Sequence, residues 1–176
     1  MATFARQFLD DSRAFLTRDY LPKIESCVGR LAPEQIWSRS NDASNSIGNL
    51  MLHLAGSSHY WALEVIGGTP AGRVRQREFD QREPIPTDHL LAGLRAAVNE
   101  VDQKLASLPD ESLLEIRTTR DERFTVLWCV FHIVEHFSMH TGQIMLLAKM
   151  FKGDLGLYDL SDGEPRPTWK GGIDGH

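Results

Sequence analysis

The sequence predicts an all-α fold of four long helices, on three observations. Apolar residues recur every three or four positions in four separate stretches, which is the period of an amphipathic helix. Glycines and prolines stand between these stretches. The chain has 176 residues and 41% hydrophobic content, enough for one domain with a single core. We expect a four-helix bundle over residues 1–152 and a C-terminal tail over residues 153–176.

The first two helices are separated from the next pair by a long polar segment. The first helix is predicted over residues 3–31, with a kink or a split at Pro22, whose ring disrupts a regular helix interior. The second helix extends from about Ser44 to Ile66 and ends at two glycines. Residues 69–86 are interpreted as a long crossover loop between helices two and three, and loops of this length are often functional.

The third helix is expected to begin with Thr87 as its N-cap, and it has the clearest amphipathic pattern in the chain. Residues 112–124 are charged and predict a short strand-like or irregular stretch. The fourth helix should run from about Thr125 to Phe151. The tail from residue 153 onward is rich in Gly, Pro and Asp, which predicts a surface-wrapping or disordered segment.

Composition and patterning exclude several classes of function. The net charge is −5 and the charges are spread along the chain, so the basic stripe required for nucleic-acid binding is missing. The longest apolar run, residues 126–134, is too short to cross a membrane. Residues 1–20 lack the apolar core of a signal peptide, so we expect a cytoplasmic protein. Cys27 and Cys129 are expected to be reduced, buried thiols.

The strongest motif is a series of three histidines, His132, His136 and His140, at successive i, i+4 positions of the fourth helix. Residues four apart lie one above the other on a helix, so two such imidazoles can bind one ion. His132 and His140 are about 12 Å apart along the axis and cannot share an ion. A site therefore uses either His132 with His136 or His136 with His140, and the spacing leaves both pairs possible.

A third ligand has to come from another helix, and His53 in the second helix is the best candidate. His53 lies beside the apolar stripe of its helix, as His136 and His140 lie beside theirs. If the two helices pack together, their imidazoles converge at the edge of the core, a usual place for metal sites in bundles. A histidine in such a position is nevertheless more often a hydrogen-bonded core or surface residue than a ligand.

Other polar and aromatic residues are candidates for catalysis or substrate binding. Gln143 shares a helix face with His136 and could orient a ligand. Glu135 could act as a base, although it lies about 100° around the helix from His136. Loop arginines could contact an anionic substrate, but charges in loops are usually solvated. The candidates for catalysis are Gln143, Glu135 and Asn49, and the candidates for substrate binding are Arg75, Arg77 and Trp61.

Two of these motifs together resemble a known family. The second helix reads Asn49-x-x-x-His53-Leu54-x-Gly56, and the fourth reads His136-x-x-x-His140-x-Gly142-Gln143-Ile144. The pair resembles the DinB/YfiT-like superfamily of metal-dependent proteins, and the resemblance covers most of the chain. It implies a DinB-like four-helix bundle, often dimeric, with a divalent metal held by His53, His136 and His140. On this basis His132 is a neighbour of the site and not a ligand.

The resemblance also suggests an activity. Characterised relatives include transferases and isomerases that depend on mycothiol, bacillithiol or glutathione, while many members have no assigned activity. Three histidines leave a coordination position open on a metal, as catalytic sites do. We therefore expect zinc, nickel or iron and thiol-dependent S-transfer to a small-molecule substrate, in a homodimer. The alternatives are metal-dependent hydrolysis, and a metal-binding or stress-response protein without enzymatic activity.

Overall fold

The protein is mostly helical, and four long helices account for most of it. The computed structural model describes residues 3–70 and 72–169. Helix α1 covers residues 4–28 in three consecutive segments, Phe4–Ala14, the π-helical Phe15–Tyr20 and Leu21–Val28. Helix α2 is the short Pro33–Trp37, and α3 covers residues 47–66 as Ile47–His59 followed by the π-helical Tyr60–Ile66. Helices α4, α5 and α6 are Arg75–Asp80, Thr87–Ala106 and Val126–Lys152.

The first helix is not split at Pro22. A π-helical turn precedes the proline directly, and the Leu21 N–H donates to the Leu16 carbonyl five residues back. This wider turn changes the hydrogen-bonding register just before the residue that has no N–H to donate. The helix therefore passes through the proline and ends at Val28, three residues before the predicted end.

The segment between the second and third long helices is not all loop, because it contains α4. The cap of the next helix also differs from the prediction. Thr87 is the first helical residue of α5, and Pro86 takes the cap position with φ −51° and ψ 137°. Among the described residues, no side chain caps this end by a hydrogen bond. Proline fits there because its fixed φ and missing N–H cost nothing before the first helical turn.

The charged stretch after α5 forms a short 3₁₀ helix, Asp110–Leu114, and then a hairpin of strands β1, Ile116–Thr119, and β2, Glu122–Thr125. The strands pair antiparallel, with Ile116 opposite Thr125. The turn residues Arg120 and Asp121 both have positive φ, 51° and 65°. Thr125 ends the hairpin and also caps α6, because its Oγ1 accepts a hydrogen bond from the N–H of Trp128.

One hydrophobic core unites the long helices, with α3 packed against both α5 and α6. The tail is partly in this core, because Leu155 and Leu157 are buried, and strands β3, Tyr158–Asp159, and β4, Arg166–Pro167, pair beyond them. The predicted surface or disordered segment is thus ordered at its start, and its last residues, 170–176, lie outside the described part.

Within residues 3–70 and 72–169, no helix has both the length and the apolar composition needed to span a bilayer.

Candidate metal centre

Three histidines from two helices bring their Nε2 atoms together. The Nε2 atom of His136 lies 3.1 Å from that of His53 and 3.2 Å from that of His140. One ring nitrogen from each of the three lies within 4.8 Å of the others. His53 and His140 are buried and His136 is half-buried. The three side chains could hold one metal ion.

Helix geometry accounts for this convergence. His136 and His140 are one turn apart on α6, so their rings lie one above the other. Helix α3 packs against α6 and brings His53 opposite them. The start of α3 is fixed by a capping box in which Ser46 Oγ accepts from the Asn49 N–H and the Ser46 N–H donates to Asn49 Oδ1. The position of His53 along the helix axis follows from this cap.

His53 is oriented by a carboxylate from α4. Its Nδ1–H donates to Glu78 Oε2 at 2.8 Å, which leaves the Nε2 lone pair facing the other two histidines. Arg73 holds the same carboxylate, with Nε 2.6 Å from Oε1 and Nη2 2.8 Å from Oε2. Such a carboxylate partner on the second ring nitrogen is common for metal-binding histidines, because it fixes the tautomer and the ring orientation.

His140 has a similar partner on its own helix. Its Nδ1–H donates to Gln143 Oε1 at 2.7 Å, so its Nε2 also carries the free lone pair. Gln143, a candidate for catalysis, therefore contacts the far side of the ring from the convergent nitrogens. No hydrogen bond to Nδ1 of His136 is found in the described part of the chain.

The electrostatics of the site favour neutral imidazoles. Burial, reinforced by the neighbouring His140 and His53, lowers the pKa of His136 to about 3. Burial also lowers the pKa of His140, although the hydrogen bond to Gln143 partly opposes this. Burial would raise the pKa of Glu78, but the hydrogen bonds from Arg73 and His53 outweigh it and hold that pKa below its usual value. At neutral pH His136 and His140 are thus neutral, and Glu78 is an ion-paired carboxylate.

Asn49 links α4 to α3 by hydrogen bonds. In the described part of the chain it makes no hydrogen bond to the Nε2 atoms of the three histidines. Its Nδ2 donates to the carbonyls of Glu78 and Gln81, at 2.8 and 3.1 Å. Arg39 donates to Asn49 Oδ1 and, at 2.9 Å, to the Gln81 carbonyl. This network, centred on the buried Asn49, holds the segment that carries Glu78.

His132 is a neighbour of the cluster, with its ring centroid 5.4 Å from that of His136, but its nitrogens are not among those that converge. Its Nδ1 bonds Glu135 Oε1 at 2.8 Å, and its ring stacks on Trp128 with 4.9 Å between centroids. Trp61 meets the same ring edge-on at 5.0 Å. Glu135, a candidate base, is therefore exposed and bonded to His132 rather than to a member of the cluster.

The two candidate arginines lie on α4. The Arg75 guanidinium lies over the Phe79 ring, 4.6 Å from its centroid, and the Phe79 ring contacts that of His53 at 4.7 Å. Arg77 lines a cavity of about 380 Å³ whose lining includes Arg73 and Glu78 but none of the three clustered histidines.

Two contributors to the site, the Arg73–Glu78 pair and Arg39, were not identified from the sequence. The available signal for the first was two acidic residues, Glu78 and Asp80, among arginines in a segment interpreted as loop, where charges usually face solvent. Arg39 lies in an irregular stretch with no periodicity to assign it a face.

Comparison with models of known protein families gives a match over most of the chain. A model of the family described as "Protein of unknown function (DUF1572)" matches residues 3–157. No curated protein matches the chain. The matched range contains all three clustered histidines and their partners Arg73, Glu78 and Gln143, so the site belongs to the part of the chain that the family shares. The chain is therefore a member of DUF1572, a family of proteins whose function is unknown.

Proposed function

We propose that this chain is a DinB-like four-helix bundle in which His53, His136 and His140 hold one divalent cation. The observation that carries the proposal is the convergence of three imidazole Nε2 atoms from two helices. Zinc bonds imidazole nitrogen at about 2.0–2.1 Å, so two nitrogens on a tetrahedral zinc are about 3.3–3.4 Å apart. The separations of 3.1 and 3.2 Å are close to this value.

The donor set fits a borderline metal rather than a hard one. Imidazole nitrogens suit zinc, nickel and iron, whereas magnesium and calcium prefer oxygen ligands. The Glu78 and Gln143 partners occupy the Nδ1 atoms of two of the ligands, so Nε2 is the atom left to bind the metal. Residues 67–86, with α4 inside them, would serve as the long connection between the two helix pairs of the bundle.

For the reaction, thiol-dependent S-transfer to a small electrophile is the best-supported candidate. A divalent cation on three neutral imidazoles would lower the pKa of a thiol at its open position and supply a thiolate nucleophile. Water at the same position would be activated in the same way, so hydrolysis is the second candidate, without a free carboxylate to assist as general base. The two nearby carboxylates are committed elsewhere, Glu78 to Arg73 and His53 and Glu135 to His132. Trp61 and Arg75 are the candidate contacts for substrate or thiol.

The first experiment is elemental analysis of untagged protein purified without added metal. We expect about one divalent metal per chain in the parent and its loss in His53→Ala and His136→Ala. His132→Ala is the matched control, because His132 is on the same helix but bonds Glu135. A parent that binds no metal after incubation with zinc, nickel or iron would contradict the proposal.

Turnover then separates the candidate activities. Metal-loaded protein is mixed with an aryl halide and glutathione, bacillithiol or mycothiol. In S-transfer the thiol sulfur bonds to the ring carbon, the halide leaves with the bonding electrons, and the thiol proton passes to solvent. Turnover that needs both thiol and the three histidines supports the transferase. Ester cleavage without thiol would instead indicate a hydrolase, and no turnover with either substrate would indicate a binding protein.

We also propose a homodimer formed through the exposed face of α6. Phe131, Leu146 and Met150 expose 57%, 63% and 68% of their surface. Phe4 of α1 is 83% exposed and lines the same groove as Phe131. Large apolar side chains gathered on one surface indicate an interaction site.

The charges on this face fit a second copy of the chain. Glu135 and Lys149 are equally far in sequence from Gly142, one on each side, and all three lie within about 40° on the helical wheel. When two α6 helices pair antiparallel and cross at Gly142, Glu135 of each copy faces Lys149 of the other. This self-complementary arrangement is what a two-fold dimer requires.

A further inference from the structure

A cavity large enough for a small ligand lies next to the metal centre. The cavity of about 380 Å³ is open to solvent and is formed by α3, α4 and the chain on either side of α4. Its size is within the range of small-molecule pockets. The Arg73–Glu78 pair forms part of its wall and also contacts Nδ1 of His53, so the cavity lies on the other side of that pair from the convergent Nε2 atoms.

The lining combines an apolar wall with positive charge. Leu52, Val74 and Ile85 supply the apolar part. The charge of Glu78 is balanced by Arg73, and His59 donates to Glu100 at 2.6 Å. Arg77 has no carboxylate within ion-pair distance among the described residues. The cavity therefore has an excess positive charge located on Arg77.

We propose that this cavity binds a small aliphatic carboxylate, with its carboxylate on Arg77 and its hydrocarbon chain against Leu52, Val74 and Ile85. A guanidinium presents a planar pair of N–H donors that matches a carboxylate, and such charge-assisted pairs are among the strongest hydrogen bonds in proteins. An apolar body adds the burial that a free inorganic anion lacks. The site is independent of the metal, and so is its test.

The test measures hexanoate binding to the full-length protein in the presence of EDTA, by isothermal titration calorimetry. EDTA removes metal, so binding of the carboxylate to a metal ion is excluded. The two key variants are Arg77→Gln and its matched control Arg75→Gln, which changes a neighbouring arginine that stacks on Phe79 and does not line the cavity. Hexanol tests the need for the charge, and acetate tests the need for the hydrocarbon chain.

The proposal expects saturable hexanoate binding in the parent and in Arg75→Gln, weakened about tenfold or more in Arg77→Gln. Hexanol and acetate should each bind at least tenfold more weakly than hexanoate. Equal hexanoate affinity in the two arginine variants, or no binding at millimolar concentration, would overturn the proposal. Because metal is absent throughout, neither result depends on whether the three histidines bind a cation.

Discussion

Gly56 makes room for the Glu78 carboxylate beside His53. A Cβ atom at position 56 would lie 3.0 Å from the carboxyl carbon of Glu78 and 3.2 Å from Nε of Arg73, and closer still to Glu78 Oε1. The contact with Oε1 is shorter than relaxed atoms allow, so a side chain at this position would displace the ion pair. The glycine thus helps to orient His53 by leaving space for the carboxylate, although it contributes no functional group.

Replacing Gly56 with alanine is expected to weaken metal binding about tenfold, because Glu78 would lose its position on Nδ1 of His53. The helix itself would gain, since alanine is favoured over glycine in a helix interior by up to about 1 kcal/mol. Zinc affinity measured by chelator competition and the thermal midpoint of the metal-free protein give the two readouts.

Gly93→Ala is the control for this change, because a Cβ at position 93 in α5 meets no atom within 4 Å. It should raise the thermal midpoint slightly and leave zinc affinity unchanged. If Gly56→Ala behaves in the same way as Gly93→Ala, the close approach at Gly56 has no functional consequence.

Glu78→Gln tests the carboxylate itself. The amide keeps the shape but removes the charge that accepts from His53 and pairs with Arg73, so we expect zinc affinity to fall about 10- to 100-fold. Glu83→Gln, an exposed residue just after α4, should retain parental affinity. Retained affinity in Glu78→Gln would show that the Nδ1 partner does not contribute to metal binding.

The two cysteines should be inert in the folded protein. Burial raises the pKa of the Cys27 and Cys129 thiols to about 11. Iodoacetamide at pH 8 should therefore leave both unmodified in the native protein and alkylate both in concentrated urea, as mass spectrometry can show. Rapid alkylation under native conditions would contradict their burial.

The raised pKa of the two thiols also makes the stability of the protein depend on pH. In the unfolded chain the thiols ionise near their ordinary pKa of 9.0, whereas in the folded chain they stay protonated up to about 11. The folded state therefore binds more protons in this interval, and the free energy of unfolding should fall as the pH rises from 9 towards 11. Urea titrations at several pH values measure this, and the fall should be shallower in Cys27→Ala.

The α6 interface predicts the effect of a charge at its centre. Leu146→Glu should convert a dimer to a monomer in light scattering coupled to size exclusion, because it places two like charges in an apolar contact. Leu114→Glu is the control, since Leu114 is 76% exposed and lies outside α6. A parent that is monomeric at all concentrations would rule out this interface.

The register of that interface can be tested by exchanging charges. Glu135→Lys alone should weaken the dimer, because it faces Lys149 of the second copy, and Glu135→Lys combined with Lys149→Glu should restore it. Equal dimerisation in the single and double variants would rule out the antiparallel crossing at Gly142. Dissociation constants from sedimentation equilibrium compare the three proteins.

The features that the sequence predicted best are those that local periodicity determines. The stacking of His136 and His140 on one helix face follows from their four-residue spacing, and the start of α6 follows from Thr125 and its cap. The same spacing left His132 with His136 as an alternative pair, and the resemblance to a family decided between them. His53 was the best candidate for the third ligand because it lies beside the apolar stripe of its helix, although helical spacing alone does not determine which helices pack together.

What the sequence missed depends on contacts between distant segments. Glu78 is 25 residues from His53, and only the folded arrangement of α3 and α4 brings them together. The hairpin turn lacks the glycine or asparagine that usually indicates such a turn. Arg120 and Asp121 adopt the left-handed conformation in their place. The π-helical turn before Pro22 likewise has no sequence signal comparable to the proline that it accommodates.

Thr125 restricts where the chain can vary in length. It is both the last residue of β2 and the cap of α6, so no spacer separates the hairpin from the helix that carries His136 and His140. One residue inserted between Thr125 and His136 would turn both imidazoles about 100° away from His53. One inserted at the turn of Arg120 and Asp121 would leave them in place. Relatives of this protein should therefore differ in length at the hairpin tip and keep a constant interval from the cap to the two histidines.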